Sequence, residues 1–280
     1  MGDTTVLLEG IDFGEGPRWH DGRLWFSDFY QRSVRAVTEG GDAEVVLEID
    51  DQPSGLGWLP DGSLLVVSMT KRSVLRWSGA GAPTLHADLS SIATWHCNDM
   101  VVSATGHAYV GNFGFDLGHE APVAAHLARI APDGTVSIAA ESLFFPNGSV
   151  ITPDGSTLIV GETTGSRYTA WTIEADGSLS NQRLWAQLGG KFPDGCCLDD
   201  GGGIWFANPL GPEVCRVVEG GEITDTIETS QNAIACMLGG ADGHTLFVLT
   251  SPTANPDEVA GLGSSRLETV RVERAGAGLP

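Results

Sequence analysis

Basic side chains are scarce in this chain. Lys and Arg total 15 against 36 Asp and Glu, for a formal charge of −21. A surface of that sign repels phosphate backbones and anionic bilayers, so neither nucleic acid nor a membrane is expected as a partner. Long apolar runs are missing as well. No stretch approaches the roughly 18 apolar residues of a membrane span. No apolar segment follows a basic start, so no secretory leader is expected. Cysteine is sparse and odd in number, with five residues (Cys97, Cys196, Cys197, Cys215 and Cys236) and no metal-site spacing. These read as reduced, packed thiols in a cytoplasmic protein. Cys196 and Cys197 are adjacent, and on a strand they point to opposite faces. There is no GxSxG elbow, and no Cys sits in a catalytic context, so a covalent acyl-enzyme is not expected.

Glycine and proline are abundant. The 38 Gly and 14 Pro are spread along the chain, as many turns between many short strands require. A turn followed by an apolar run recurs six times. The copies are DGRLWFSD at Asp21, DGSLLVVS at Asp61, TGHAYVGN at Thr105, DGSTLIVG at Asp154, GGGIWFAN at Gly201 and DGHTLFVL at Asp242. Successive turn glycines lie 40, 44, 49, 47 and 41 residues apart. That period suits one four-stranded propeller blade. The strand after each turn is apolar on both faces, as expected between neighbouring blades. The fold class is therefore all-β: a six-bladed β-propeller, one domain over residues 1–280. The last copy has a third strand, Leu267 to Glu273, but too few residues remain for a fourth. Thr4 to Leu8 at the N-terminus is spare and predicts the strand that closes the last blade, which removes an open edge. The longest irregular segment, Phe113 to Ala125, is expected to cover the channel mouth.

Eight residues before each turn glycine, or seven in the first copy, stand Glu15, Ser54, Asn98, Asn147, Asp194 and Ala235. They open the innermost strands and should converge on one rim of the channel. Asn, Asp and Gly are also ordinary turn residues. Four oxygen donors at one repeat phase set this group apart. Two carboxylates and two amides, without imidazole or thiolate, suit one hard divalent cation, Ca²⁺ first, with Zn²⁺, Mn²⁺ or Mg²⁺ as alternatives. Glu162 and Asn208, at the ends of second strands, are expected either to touch substrate or to be solvated.

The stretches EGPRW from Glu15, PSGLGW from Pro53, CNDMV from Cys97, FPNG from Phe145 and FPDG from Phe192 fall at the repeat phase. With them the chain resembles the SMP-30/gluconolactonase/luciferin-regenerating enzyme family (regucalcin-like). The resemblance implies a six-bladed propeller that binds a divalent ion and hydrolyses lactones. It places the metal on Glu15, Asn147 and Asp194, the general base on Asp194, and a substrate contact on Asn98. Members acting on sugar lactones often carry Arg two residues before the Asn-Asp pair, where this chain has His96. With aromatic neighbours such as Trp95 and Phe113, His96 as a substrate contact points to a less polar ring. The implied function is a metal-dependent lactonase acting on a small lactone or ester. A phosphotriesterase-like hydrolase and a non-catalytic calcium-binding propeller are the readings from other classes.

Overall fold

Two-residue hairpins need positive φ at both turn positions. The first repeat shows this directly: His20 pairs with Arg23, and Asp21 and Gly22 between them have φ of 48° and 75°. The computed structural model describes residues 4–280. Each repeat folds into one antiparallel sheet, and six sheets form the blades of a β-propeller. Blade one runs outward through Gly14–His20, Arg23–Asp28, Ser33–Thr38 and Ala43–Glu48. Blades two to five follow the same order, with inner strands Pro53–Trp58, Cys97–Val102, Pro146–Ile151 and Cys196–Asp199.

Blade six closes the ring as the spare strand predicts. Its inner three strands are Asn232–Gly239, Thr245–Ser251 and Ser265–Arg271, and Thr5–Ile11 supplies the fourth. Thr5 pairs with Thr269 and Ile11 with Ser265. The ring is thus fastened by hydrogen bonds between the two ends of the chain.

The core is divided into layers between blades. The second strands, such as Leu64–Ser68 and Ile204–Asn208, are buried at every residue. Outer strands alternate, and Ala43–Glu48 buries only Leu47. Between blades one and two, Trp25, Val34, Leu56 and Val66 pack together. Between blades four and five the layer holds Ile159, Tyr168, Cys196 and Phe206. Cys197, adjacent to Cys196, packs in a different layer with Cys236 and Trp205, as opposite faces of a strand require.

The C-terminal tail makes no strand in blade six, yet it does form one elsewhere. Gly276–Ala277 pairs with Leu198 and Asp199 on the inner edge of blade five. Leu279 then exchanges two backbone hydrogen bonds with Ile151 of blade four, at 2.7 and 2.9 Å. These contacts lie at the C-terminal ends of the inner strands, so the tail lies at the end of the channel away from Asn147 and Asp194.

Candidate functional site

All six ring positions are buried in or just before the inner strands. Close approach of neighbouring strands explains the glycines that follow them. A Cβ on Gly148 would stand 2.3 Å from the Asp194 carbonyl oxygen, and one on Gly195 would stand 2.3 Å from the Ala235 Cβ. Glycine there lets blades four, five and six meet at the axis, which brings their ring side chains together. The Asn147 Nδ2 donates to Asp194 Oδ1 at 2.6 Å, and Ser54 Oγ donates to Asn98 Oδ1 at 3.3 Å. Glu15 Oε2 accepts from its neighbour's backbone, Gly16 N, at 2.8 Å. Ala235 brings no donor, so its sector of the ring is apolar.

The two carboxylates are held in an unfavourable state. Burial, followed by the charges of Asp194 and Asp99, pushes the Glu15 carboxyl well above its ordinary range. Burial pushes Asp194 up to about 7, opposed by the Asn147 hydrogen bond. The charge of Arg18 offsets only part of the rise at Glu15. Arg18, unremarked in the sequence although it lies within EGPRW, reaches past the inner strand of blade two to Asp99, with Nη2 to Oδ1 at 2.6 Å. Its remaining donors go to the carbonyls of Pro17, Leu56 and Met100. Both partners are buried.

Thr163 sets the orientation of Asn147. Its hydroxyl donates to Pro193 O at 2.7 Å, so it accepts from Asn147 Nδ2 at 3.0 Å. That leaves the Asn147 amide oxygen buried with no partner. An orphaned buried acceptor beside two like-charged buried carboxylates lacks a positive ligand. A divalent cation supplies one, and the oxygen-only donor set fits a hard ion. Among the described residues no group of three or more His, Cys, Asp or Glu is placed to hold a metal. The donor set here is instead mixed, two carboxylates with amide oxygens.

Aromatic side chains stand beside the ring. His96 stacks on Trp95 with centroids 4.8 Å apart, Phe113 lies 6.0 Å from His96, and Phe145 lies 4.5 Å from Phe113. His96 is half-buried, and that burial lowers its pKa, so the ring is neutral near pH 7. The 113–125 segment joins the second and third strands of blade three on this face, where Phe113 N donates to His96 O. A second insertion, between Ser251 and Ser265 of blade six, escaped the sequence reading. It contains the one-turn helix Pro256–Val259, and Val259 packs against Phe13, Phe29, Met69 and Ile234. The Asp12 carboxylate ties it down through Gly261 N at 2.7 Å and Gly263 N at 2.9 Å.

Glu162 and Asn208 are not solvated: both are buried and hydrogen-bonded within the protein. Glu162 is fully buried, and its carboxylate accepts from Arg167, Thr169 and Phe144 N. Asn208 donates to Glu213 and accepts from Phe192 N. The strand ends carrying them are covered by the turns that follow, which the repeat pattern does not mark. All five cysteines are free and buried, and burial raises the Cys97 thiol to about 12. Burial likewise raises the thiols of Cys196, Cys215 and Cys236, which disfavours the nucleophilic thiolate at these positions.

Known proteins resemble this chain in sequence and fold. A pentonolactonase of Haloferax volcanii is 25% identical over 255 residues, covering 89% of this chain and 84% of that protein. A solved gluconolactonase of Xanthomonas campestris superposes with a TM-score of 0.75 at 25% identity, covering 98% of this chain and 89% of the other. A calcium-binding regucalcin of Agrobacterium tumefaciens superposes with a TM-score of 0.80 at 20% identity, covering 99% and 95%. The family model described as SMP-30/gluconolactonase/LRE-like region matches residues 13–252, a span that includes all six ring positions and five complete blades. The chain belongs to the SMP-30/gluconolactonase/LRE-like family.

Proposed function

We propose that this protein is a metal-dependent hydrolase that opens a lactone ring. The observation that carries the reading is the buried Glu15 and Asp194 pair beside the unpartnered Asn147 oxygen. Lactonases among its relatives and neighbours support the substrate class, and the calcium-binding neighbour supports Ca²⁺ as the first ion to try. Glu15, Asn147 and Asp194 would hold the cation. Bound there, it supplies Lewis-acid polarisation of the lactone carbonyl.

The chain's own residues do the rest. Asp194 is the general base: its carboxylate takes a proton from the attacking water. Asn98 is anchored through its amide oxygen by Ser54, and it orients the substrate. His96, neutral and stacked on Trp95, offers one hydrogen bond at the wall. The Trp95, Phe113 and Phe145 surfaces favour a lactone with an apolar substituent over a polyol, because few polar tips face the substrate there. The free, buried thiols fit a reducing compartment such as the cytoplasm.

The test is to strip the protein with chelator and assay alkyl-, aryl- and sugar-derived lactones before and after adding back Ca²⁺, Zn²⁺, Mn²⁺ or Mg²⁺. Activity that vanishes and returns with one ion is the expected result. A folded, ion-loaded protein inert on the whole panel removes the lactonase reading, and turnover of organophosphates in its place would assign a phosphotriesterase.

A further inference from the structure

The three proposed cation ligands sit on blades one, four and five, and a second feature singles out the same three blades. At the end of each second strand stands a side chain that accepts from the backbone leading into the ligand. In blade one this is Asp28, whose carboxylate accepts from Asp12 N at 3.1 Å and Phe13 N at 3.2 Å, just ahead of Glu15. In blade four it is Glu162, which accepts from Phe144 N at 2.9 Å, just ahead of Asn147. In blade five it is Asn208, which accepts from Phe192 N at 3.5 Å, a longer contact, just ahead of Asp194.

The residues that end the second strands of the other blades bond elsewhere. Ser68 donates to Asp51, Asn112 donates to His126 O, and Ser251 donates to Thr253 O. Those blades carry Ser54, Asn98 and Ala235, none of them a proposed ligand.

Blade four shows why such a clamp matters. Phe145 has φ of 57°, a left-handed conformation that costs a bulky residue energy and persists only where its surroundings enforce it. Glu162 holds the residue on one side of it through Phe144 N. Thr163 N donates to Phe145 O at 3.0 Å. Glu162 is itself fixed by a bidentate pair with Arg167, at 2.7 and 2.8 Å, and by the Thr169 hydroxyl at 2.6 Å. Each of its oxygens therefore already has two donors.

We propose that Glu162 and Asp28 are positioning residues for the cation, each fixing the backbone that presents a ligand without touching the ion. The proposal rests on the metal reading above. A Gln at 162 keeps the shape but replaces one acceptor oxygen with a donor. Either Phe144 N or the Arg167 guanidinium then faces an NH₂ group, and the turn carrying Asn147 loosens.

The test uses chelator-stripped full-length protein. Ca²⁺, Zn²⁺, Mn²⁺ and Mg²⁺ are titrated in turn by calorimetry into the wild type, Glu162→Gln, Asp28→Asn and Glu268→Gln, and the melting temperature of each metal-free protein is recorded. Glu268 is the control. It is equally buried and accepts from Ser230 and Thr250, but it serves no ring residue. The expected result is a Kd raised about 10-fold or more in Glu162→Gln and in Asp28→Asn, the range typical of groups that orient metal ligands. Glu268→Gln should lower the melting temperature while leaving Kd unchanged. Should Glu162→Gln not fold, Asp28→Asn carries the test alone. Wild-type affinity in both variants overturns the positioning role while the metal reading stands. Equal weakening in Glu268→Gln also overturns it, by showing a general loss of stability. A wild type that binds none of the ions overturns the metal reading and this proposal with it.

Discussion

Removing Arg18 should damage the metal-free fold far more than its single ion pair suggests. The guanidinium is buried, pairs with buried Asp99 at 2.6 Å, and also serves three backbone carbonyls. Arg18→Met leaves the Asp99 carboxylate without a counter-charge inside the channel. Breaking a buried pair from one side costs about 3–5 kcal/mol. For a chain of this size that converts to a fall of roughly 6–20 °C in melting temperature. The damage should spread to the ring, because Arg18 is the cation that partly offsets the field at Glu15. Replacing both partners, as Arg18→Met with Asp99→Leu, removes the stranded charge and should recover most of the loss. The assay is thermal unfolding in chelator, followed by circular dichroism, for the wild type, both single variants and the double variant. A single variant within about 1 kcal/mol of wild type, the worth of an exposed pair, would refute the reasoning. So would a double variant as unstable as Arg18→Met, since the stranded charge would then not be the cause.

Three further outcomes follow from the same geometry. In chelator, Asp194→Asn should raise the melting temperature, because it removes one of two like charges buried together. With the cation present it should gain less stability than the wild type does, and its turnover should fall about 10²–10⁴-fold through loss of the base. An Asp194→Asn protein that is less stable than wild type in chelator contradicts the electrostatic account of the ring. Deleting residues 275–280 frees Ile151 N and the inner edge of blade five. Faster amide exchange at Ile151 and Asp200, without loss of the blade one amides, is the expected pattern by mass spectrometry or NMR. His96→Arg places a charged donor at the wall and should shift the ratio of kcat/KM towards polyhydroxylated lactones by about 10-fold, on the order of one good hydrogen bond to a charged group. An unchanged ratio on a matched pair of alkyl and sugar lactones would show that His96 does not face the substrate.

Much of this protein is readable from its residues alone, because its main signals are local and periodic. A turn glycine every 40 to 49 residues marks one blade after another, and a fixed step back from each glycine reaches Glu15, Ser54, Asn98, Asn147, Asp194 and Ala235. The spare N-terminal strand follows from counting strands in the last repeat. What the tertiary structure alone decided lies off that period. Arg18 and Asp99 are 81 residues apart and meet only because the closed ring lets Arg18 reach past the inner strand of blade two, where it bonds Leu56 O, to blade three. The tail leaves blade six through a hydrogen bond from Gly276 N to Gly243 O and pairs with blades five and four, whose inner edges at that end of the channel offer unpaired backbone groups. Glu162 reads in sequence as a strand end that either touches substrate or is open to water. Its burial depends on Arg167, Thr169 and the left-handed turn at Phe145, which come together only once blade four is folded. The repeat specifies where each blade begins and which side chains face the axis. Contacts between blades, which decide which of those side chains are charged, paired or left wanting a partner, depend on the ring having closed.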